Sequence, residues 1–242
     1  MVSSVIMAAG SMLQLLPRLL VACPKVGDSK FQTVFGPSSS LRDKIENGQR
    51  CDLFISAHST HTDALVKAEI LGRAAVLGLN PTVLVYRSDI DVADTGILQL
   101  LANPSLQLGM STSGLNPSDT EFEILSKISE ATESDPKALA SRTRLITGGR
   151  ENPNAPKGRN LYGWIMETQE VDLLLTFQSN AIDAVADNRG LQFTKLPLPI
   201  RVIGQFGIGV SIDARREIKG LYDWLLSTEG KNILEQNGLE RP

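Results

Sequence analysis

A chain of 242 residues, 42% of them hydrophobic, is long enough to bury one large core or two modest ones. A net charge of -3 gives no basic field to hold nucleic acid or an anionic membrane, and aromatics at 5% are too scattered to form base-stacking platforms. No run of about 20 apolar residues is present to cross a bilayer, so any membrane partner is a separate chain.

Val5 to Ala9 reads as a short buried strand, Gly10-Ser11 as a turn and cap, and Met12 to Ala22 as a helix. The apolar stretch Val5 to Ala22 lacks a basic flank and contains Gly10, Ser11, Gln14, Pro17 and Arg18. It is therefore expected to open a mature domain and not to be a secretion leader. Cys23 and Cys51 sit in apolar contexts, suited either to pairing in an oxidising compartment or to free buried thiols.

A second strand, serine and helix arrangement runs from Gly36 to Ala57. Ser38, Ser39 and Ser40 are expected at the N-cap and first turn of a helix, Leu41 and Ile45 on its apolar face, and Leu53 to Ile55 as the buried strand that follows. Hydroxyls and unpaired backbone N–H groups converging at such a start grip an anion without a charged side chain. In an open α/β sheet these turns gather at the carboxyl ends of the strands, so Ser11 and the Ser38 cluster should face one crevice. His58 and His61 lie three apart with no Cys or Glu at ligand spacing, and HSTH reads as a surface loop and not a metal site.

Gly72 to Pro81 leads into a strand from Thr82 to Arg87, a first crossing between lobes, and Leu196 to Pro199 marks a second. Lobe one is then 1–81 with 200–242, and lobe two is 82–199. Within lobe two, Leu106 to Met110 is a short strand ending at Ser111, and Asn116-Pro117-Ser118 starts a helix. Glu121, Glu123, Glu130 and Glu133 form a solvated helix face and the loop after it, and Gly148-Gly149 is too sparse for a phosphate loop. Gly158-Arg159-Asn160 precedes a helix from Leu161 to Thr168, with Leu161, Trp164 and Ile165 at helical spacing. Arg159 either offers its planar fork to oxyanion oxygens or turns to solvent or an acidic partner. A strand from Val171 to Thr176 ends at Phe177, Arg201 to Ile212 is a further strand, and Ala214 to Asn237 forms two terminal helices. No serine sits in a nucleophile elbow and Cys51 has no identifiable base, so the expected chemistry is recognition and not catalysis.

The segments AAGS at Ala8–Ser11, FGPSSSL at Phe35–Leu41, IENGQRCDLFISA at Ile45–Ala57, LGMSTSGLNPSD at Leu108–Asp119, GGRENPNAPKGRN at Gly148–Asn160, VDLLLTFQSNA at Val171–Ala181 and LLSTEGKNILEQNGL at Leu225–Leu239 together carry a resemblance. The chain resembles the substrate-binding proteins of molybdate-type ABC transporters, members of the type II periplasmic binding-protein fold. The resemblance implies an α/β chain of two lobes, two mixed sheets flanked by helices and joined by a two-strand hinge, with the ligand cleft between them. It implies capture of a tetrahedral oxyanion, molybdate or tungstate, and delivery to an ABC permease with its ATPase. It further implies a periplasmic or extracytoplasmic monomer without cofactor or protein-ligated metal.

By the same resemblance, Ser11, Ser38 and Ser39 hold the anion from lobe one. Gly109, Met110, Ser111, Arg159, Asn160 and Phe177 approach it from lobe two, the strand end at Gly109–Ser111 and the turn at Arg159 lending backbone N–H groups. Phe177 departs from the pattern, since well-known molybdate-binding members carry a tyrosine there whose hydroxyl touches the anion. Arg159 or Gln178 is expected to replace that donor. The same fold also serves non-transport ligand sensors, and an arginine at position 159 is also compatible with a small organic acid.

Overall fold

The computed structural model of the protein describes residues 3–27, 29–111, 120–147, 155–168 and 171–242. The chain opens with strand β1 (Ser4–Ala9), a 3-10 turn at Gly10–Met12 and helix α1 (Leu15–Ala22). Strand β2 (Phe31–Gly36), α2 (Ser38–Glu46), β3 (Leu53–Ser56), α3 (Ser59–Lys67) and the long strand β4 (Leu71–Arg87) follow. Next come α4 (Val92–Thr95), α5 (Ile97–Ala102), β5 (Leu108–Ser111), α6 (Thr120–Thr132), α7 (Pro136–Arg142) and β6 (Thr143–Thr147). The chain continues with α8 (Leu161–Glu167), β7 (Leu173–Phe177), α9 (Gln178–Asp187) and β8 (Leu191–Lys195), then β9 (Ile203–Ser211), α10 (Arg216–Leu225) and α11 (Thr228–Gln236).

The chain divides into two compact units, Met1–Asn80 with Gly204–Pro242, and Pro81–Ile203. It passes from one to the other inside β4 and again at the start of β9.

In the first unit β2, β1 and β3 run parallel and β9 pairs antiparallel with β3, so the order is β2-β1-β3-β9, with β4 next to β9. Parallel neighbours align their carboxyl ends: Ala9 lies opposite Gly36, and Ala8 opposite Ile55. One core gathers Val5, Met7 and Phe54 from the strands with Leu41 and Ile45 of α2 and Leu65 of α3. Alternation sends Ile6, Leu53 and Ile55, also fully buried, to the opposite face.

In the second unit β8 and β7 flank β4 antiparallel, while β5 runs parallel to β7 and β6 parallel to β5. The period-two rule separates two cores. Leu84, Leu108, Met110, Leu173 and Leu175 pack with Leu100 and Leu101 of α5 and Ile124 and Ile128 of α6. Val83, Val85 and Leu174 pack with Ile165 and Met166 of α8 and Ala181 of α9. Each such fully buried aliphatic side chain contributes about 1.5–3 kcal/mol.

Three local expectations are corrected. The helix expected from Met12 begins at Leu15, because Ser11 lies inside the 3-10 turn; Pro17 then falls in the first turn, where its missing N–H has no acceptor to lose. The helix start at Ser38 is capped by Pro37 in extended geometry and not by a serine side chain. HSTH is no surface loop, since Ser59 opens α3 and His61 is buried against the rest of the unit. The strand before Ser38, whose bounds the sequence left open, is β2; it pairs with β1, and Gln32 and Thr33 leave it exposed without a buried alternation. The helix start at Asn116-Pro117-Ser118 and the Gly148-Gly149 pair lie outside the described residues.

Candidate anion-binding site

The carboxyl edge of the β2-β1-β3 strands places three turns side by side. Gly10-Ser11 follows β1, Pro37-Ser38 follows β2, and Ala57-His58 follows β3. Ser38, first residue of α2, is buried, and its Oγ accepts the Ala57 N–H at 3.0 Å. Because β1 lies between β2 and β3, this bond spans the end of β1 where Ser11 sits. With one lone pair of Ser38 Oγ taken by an N–H, its hydroxyl proton is available to donate.

Ser11 Oγ is buried and has no hydrogen-bond partner among the described residues. A buried hydroxyl left unpaired costs about 1–3 kcal/mol, so Ser11 Oγ has donor and acceptor capacity that the described residues do not use. Nothing would meet a Cβ on neighbouring Gly10, so the space beside that turn is open. Ser39 and Ser40, half-buried, complete the first turn of α2, whose first intrahelical bond is Leu41 N–H to Pro37 O at 2.9 Å. The N–H groups of Ser38, Ser39 and Ser40 therefore lack intrahelical acceptors. Neither α2 nor α3 carries an acid in its first turn, so both helix dipoles present uncancelled positive ends at this edge.

His61, three residues into α3, is neutral at physiological pH. Burial, then the Arg42 guanidinium and His58, hold its pKa down at about 4, against a partial upward pull from Asp43. Its Nδ1 has no partner among the described residues, and no His/Cys/Asp/Glu group able to hold a metal occurs among them. The folded pKa lies below the unfolded value of about 6.5, so as pH falls the unfolded chain takes up a proton that the folded one refuses. Stability is expected to decline from pH 6.5 down to about 4, and the decline should be shallower in H61Q, checked by thermal melts across that range.

In the second unit, β5 ends in an irregularity. Met110 lies opposite Leu145 but Ser111 opposite Thr147, so Ile146 is an extra residue on β6. Bulges of this kind end ladder pairing and re-aim the adjacent backbone, which suits the N–H of Ser111 to an external acceptor. Gly109 and Met110 answer to packing. A Cβ on Gly109 would lie 2.5 Å from Ile146 Cδ1 and 2.8 Å from Val171 Cγ1, and the Met110 side chain is in the core.

Asn160 caps α8: its Oδ1 accepts the N–H groups of Tyr162 at 2.9 Å and Gly163 at 3.1 Å. Arg159 beside it is fully engaged. Its Nε reaches both oxygens of Asp187 at 3.2 and 3.1 Å, its terminal nitrogen pairs with Glu167, its guanidinium lies 5.4 Å from the Trp164 ring centroid, and its N–H donates to Pro156 O at 3.0 Å. The hydrogen bonds from Glu167 and then Asp187 hold its pKa above the ordinary arginine value. Of the two readings of Arg159, the structure supports the acidic partner, and its N–H is likewise committed to the turn. Phe177, buried, ends β7 and stands at the N-cap of α9 without a side-chain cap.

A family model described as bacterial extracellular solute-binding protein matches residues 5–240. The chain belongs to this family. An uncharacterized protein of Pasteurella multocida (strain Pm70) is 30% identical over 177 residues, 72% of this chain and 73% of its own. The Azotobacter vinelandii periplasmic molybdate-binding protein matches with a TM-score of 0.74 at 14% identity, over 99% of this chain and 100% of that one. The sulfate-binding protein SubI of Mycobacterium tuberculosis matches with a TM-score of 0.67 at 12% identity, over 99% of this chain and 86% of that one. At these identities the structural likeness is one of fold, a mixed α/β arrangement with flanking helices.

For this solute-binding protein, Arg159→Ala is expected to leave oxyanion affinity within about twofold, too small a change for a lost charged hydrogen bond, while lowering the melting point because Asp187 and Glu167 lose their cation. Titration of the variant beside the parent checks this. Sequence reasoning also passed over a polar chain that links the two predicted loops of the second unit. Asn180 Nδ2 donates to Tyr162 Oη at 3.4 Å and to Thr176 Oγ1 at 3.1 Å. Only the placement of α9 against α8 reveals it, since no spacing in the sequence connects Tyr162 with Asn180.

Proposed function

We propose that this solute-binding protein captures a fully deprotonated tetrahedral oxyanion, molybdate or tungstate, and delivers it to an ABC permease with its ATPase on the extracytoplasmic side. The anion is received by the Ser11 and Ser38 hydroxyls and the first-turn N–H groups of α2, including Ser39.

The observation that carries this reading is the buried Ser11 hydroxyl with no partner among the described residues, beside a Ser38 hydroxyl whose oxygen already accepts from Ala57. Both offer protons, and an oxyanion without protons of its own accepts from all of them. Singly protonated phosphate brings an O–H whose strongest acceptor would be a carboxylate, and none is among the proposed ligand residues, so it is disfavoured. The fold likeness to molybdate-binding and sulfate-binding proteins supports an oxyanion of this shape.

A thermal-shift panel on dialysed protein tests the reading. A ligand at a thousandfold excess over its Kd adds about 4 kcal/mol to stability, a rise of many degrees. Molybdate and tungstate are expected to raise the melting point at micromolar concentrations while phosphate leaves it in place. A rise with sulfate alone would reassign the ligand, and no rise with any of the four would overturn the oxyanion reading.

A further inference from the structure

We propose that Gln205 is a further ligand residue of the anion site in the first unit, its amide NH2 donating to the anion, and that Ser59 positions it. The inference rests on the oxyanion reading above. Strand β9 runs antiparallel to β3 with Gly207 opposite Ser56, so its opening residues lie at the carboxyl end of β3. By that register Gln205 stands level with His58, at the same edge as the Ser11 and Ser38 turns, and all of these residues belong to one compact unit. Alternation along β9 places Phe206, Ile208 and Val210 on one face and Gln205, Gly207 and Gly209 on the other. That second face is the one against α3: a Cβ on Gly207 would meet Thr62 and Ser59, and one on Gly209 would meet Leu71 and Thr62. The two glycines let α3 lie close to the strand, and Gln205, the exposed residue of the three, stands where the helix starts.

The Gln205 amide is held in one orientation. Ser59, 6% exposed and first in α3, donates from Oγ to Gln205 Oε1 at 2.7 Å, while its own carbonyl accepts Thr62 Oγ1 at 2.7 Å. With Oε1 given to Ser59, the NH2 is turned away from it and has no partner among the described residues. Ser38 Oγ holds the Ala57 N–H at 3.0 Å, two residues before Ser59, so hydrogen bonds knit the turn after β2, the turn after β3 and the start of β9 into one row. Strand β3 alone separates β9 from β1, about 10 Å at ordinary strand spacing, a span that a glutamine side chain and a tetrahedral oxyanion bridge together. Fixed by Ser59 before the anion arrives, the amide has little conformational freedom to lose on binding.

The test titrates molybdate and sulfate into the parent protein, Q205A, Q205M, S59A and the variant carrying both S59A and Q205A, reading the anion that the parent holds more tightly, with melting curves confirming that each folds. Q205A and Q205M are each expected to bind at least about tenfold more weakly, Q205M separating loss of the amide from loss of side-chain bulk. S59A is expected to weaken binding severalfold where Gln205 is present and to add nothing in the Q205A background, a coupling in affinity that a merely structural serine would not show. Affinity in Q205A and Q205M within twofold of a tightly binding parent overturns the Gln205 assignment while leaving the oxyanion reading intact. An equal loss from S59A with and without Gln205 overturns the positioning by Ser59. A parent that binds neither anion overturns the oxyanion reading and this inference with it.

Discussion

Ser11→Ala is expected to lower oxyanion affinity by about tenfold to a hundredfold and leave the melting point of the unliganded protein unchanged or slightly raised. The two effects separate because of where the hydroxyl's partner comes from. Ser11 Oγ is buried and unpaired among the described residues, so removing it abolishes a desolvation cost and breaks no internal bond. A hydrogen bond to a charged ligand is worth about 1.5–3 kcal/mol, which sets the loss of affinity. Ser38→Ala provides the contrast. It removes the acceptor of the Ala57 N–H and should cost about 1–3 kcal/mol of stability as well as affinity. Calorimetric titration and melting curves on the two variants read both quantities. Equal destabilisation by the two substitutions would mean that the Ser11 hydroxyl is satisfied from within the chain.

A large purely structural effect is expected at Gly207. It lies opposite Ser56 in the β3–β9 ladder, and a Cβ there would stand 2.5 Å from Thr62 Oγ1 and 2.7 Å from the Cα of Ser59, both in α3. Thr62 is fully buried and its Oγ1 donates to Ser59 O at 2.7 Å, so it has no room to rotate; the Ser59 contact is backbone and can yield only if the start of α3 moves. Ser59 Oγ also donates to Gln205 Oε1 at 2.7 Å, a second tether of α3 to β9. Gly207→Ala is therefore expected to cost about 1–3 kcal/mol, or roughly 2–4 °C of melting point per kcal/mol for a chain of this size. Because α3 begins two residues after Ala57, moving its start also disturbs the N–H that Ser38 holds, so affinity should fall with stability.

The parts of the candidate site that could be read from sequence are those whose chemistry is local. Ser11 and the serines at 38 to 40 announce themselves because a turn followed by hydroxyls and an apolar helical spacing fixes a helix start within a few residues. That Pro37 and not a serine takes the cap changes the geometry of the turn but not its donors. What depends on distant packing was not readable. Arg159 meets Glu167 eight residues on and Asp187 twenty-eight residues on, after α8 and α9 have been laid side by side. His61 looked like a loop residue because its burial depends on the packing of α3 against the rest of the unit, with Arg42 and Asp43 of α2 near it, which no local spacing shows. At Gly109 the need for glycine comes from distant packing against Ile146 and Val171, which no local pattern announces. The extent of the edge strand β2 could not be read because exposed edges do not carry the buried alternation that marks a strand.

The most direct test of the central claim is calorimetric titration of dialysed protein with molybdate, tungstate, sulfate and phosphate in parallel at neutral pH. The account predicts saturable binding of molybdate and tungstate with one site per chain and no heat of binding from phosphate. Tight phosphate binding would contradict a site without a carboxylate acceptor, and silence toward all four anions would contradict the assignment of Ser11 and Ser38 to an oxyanion.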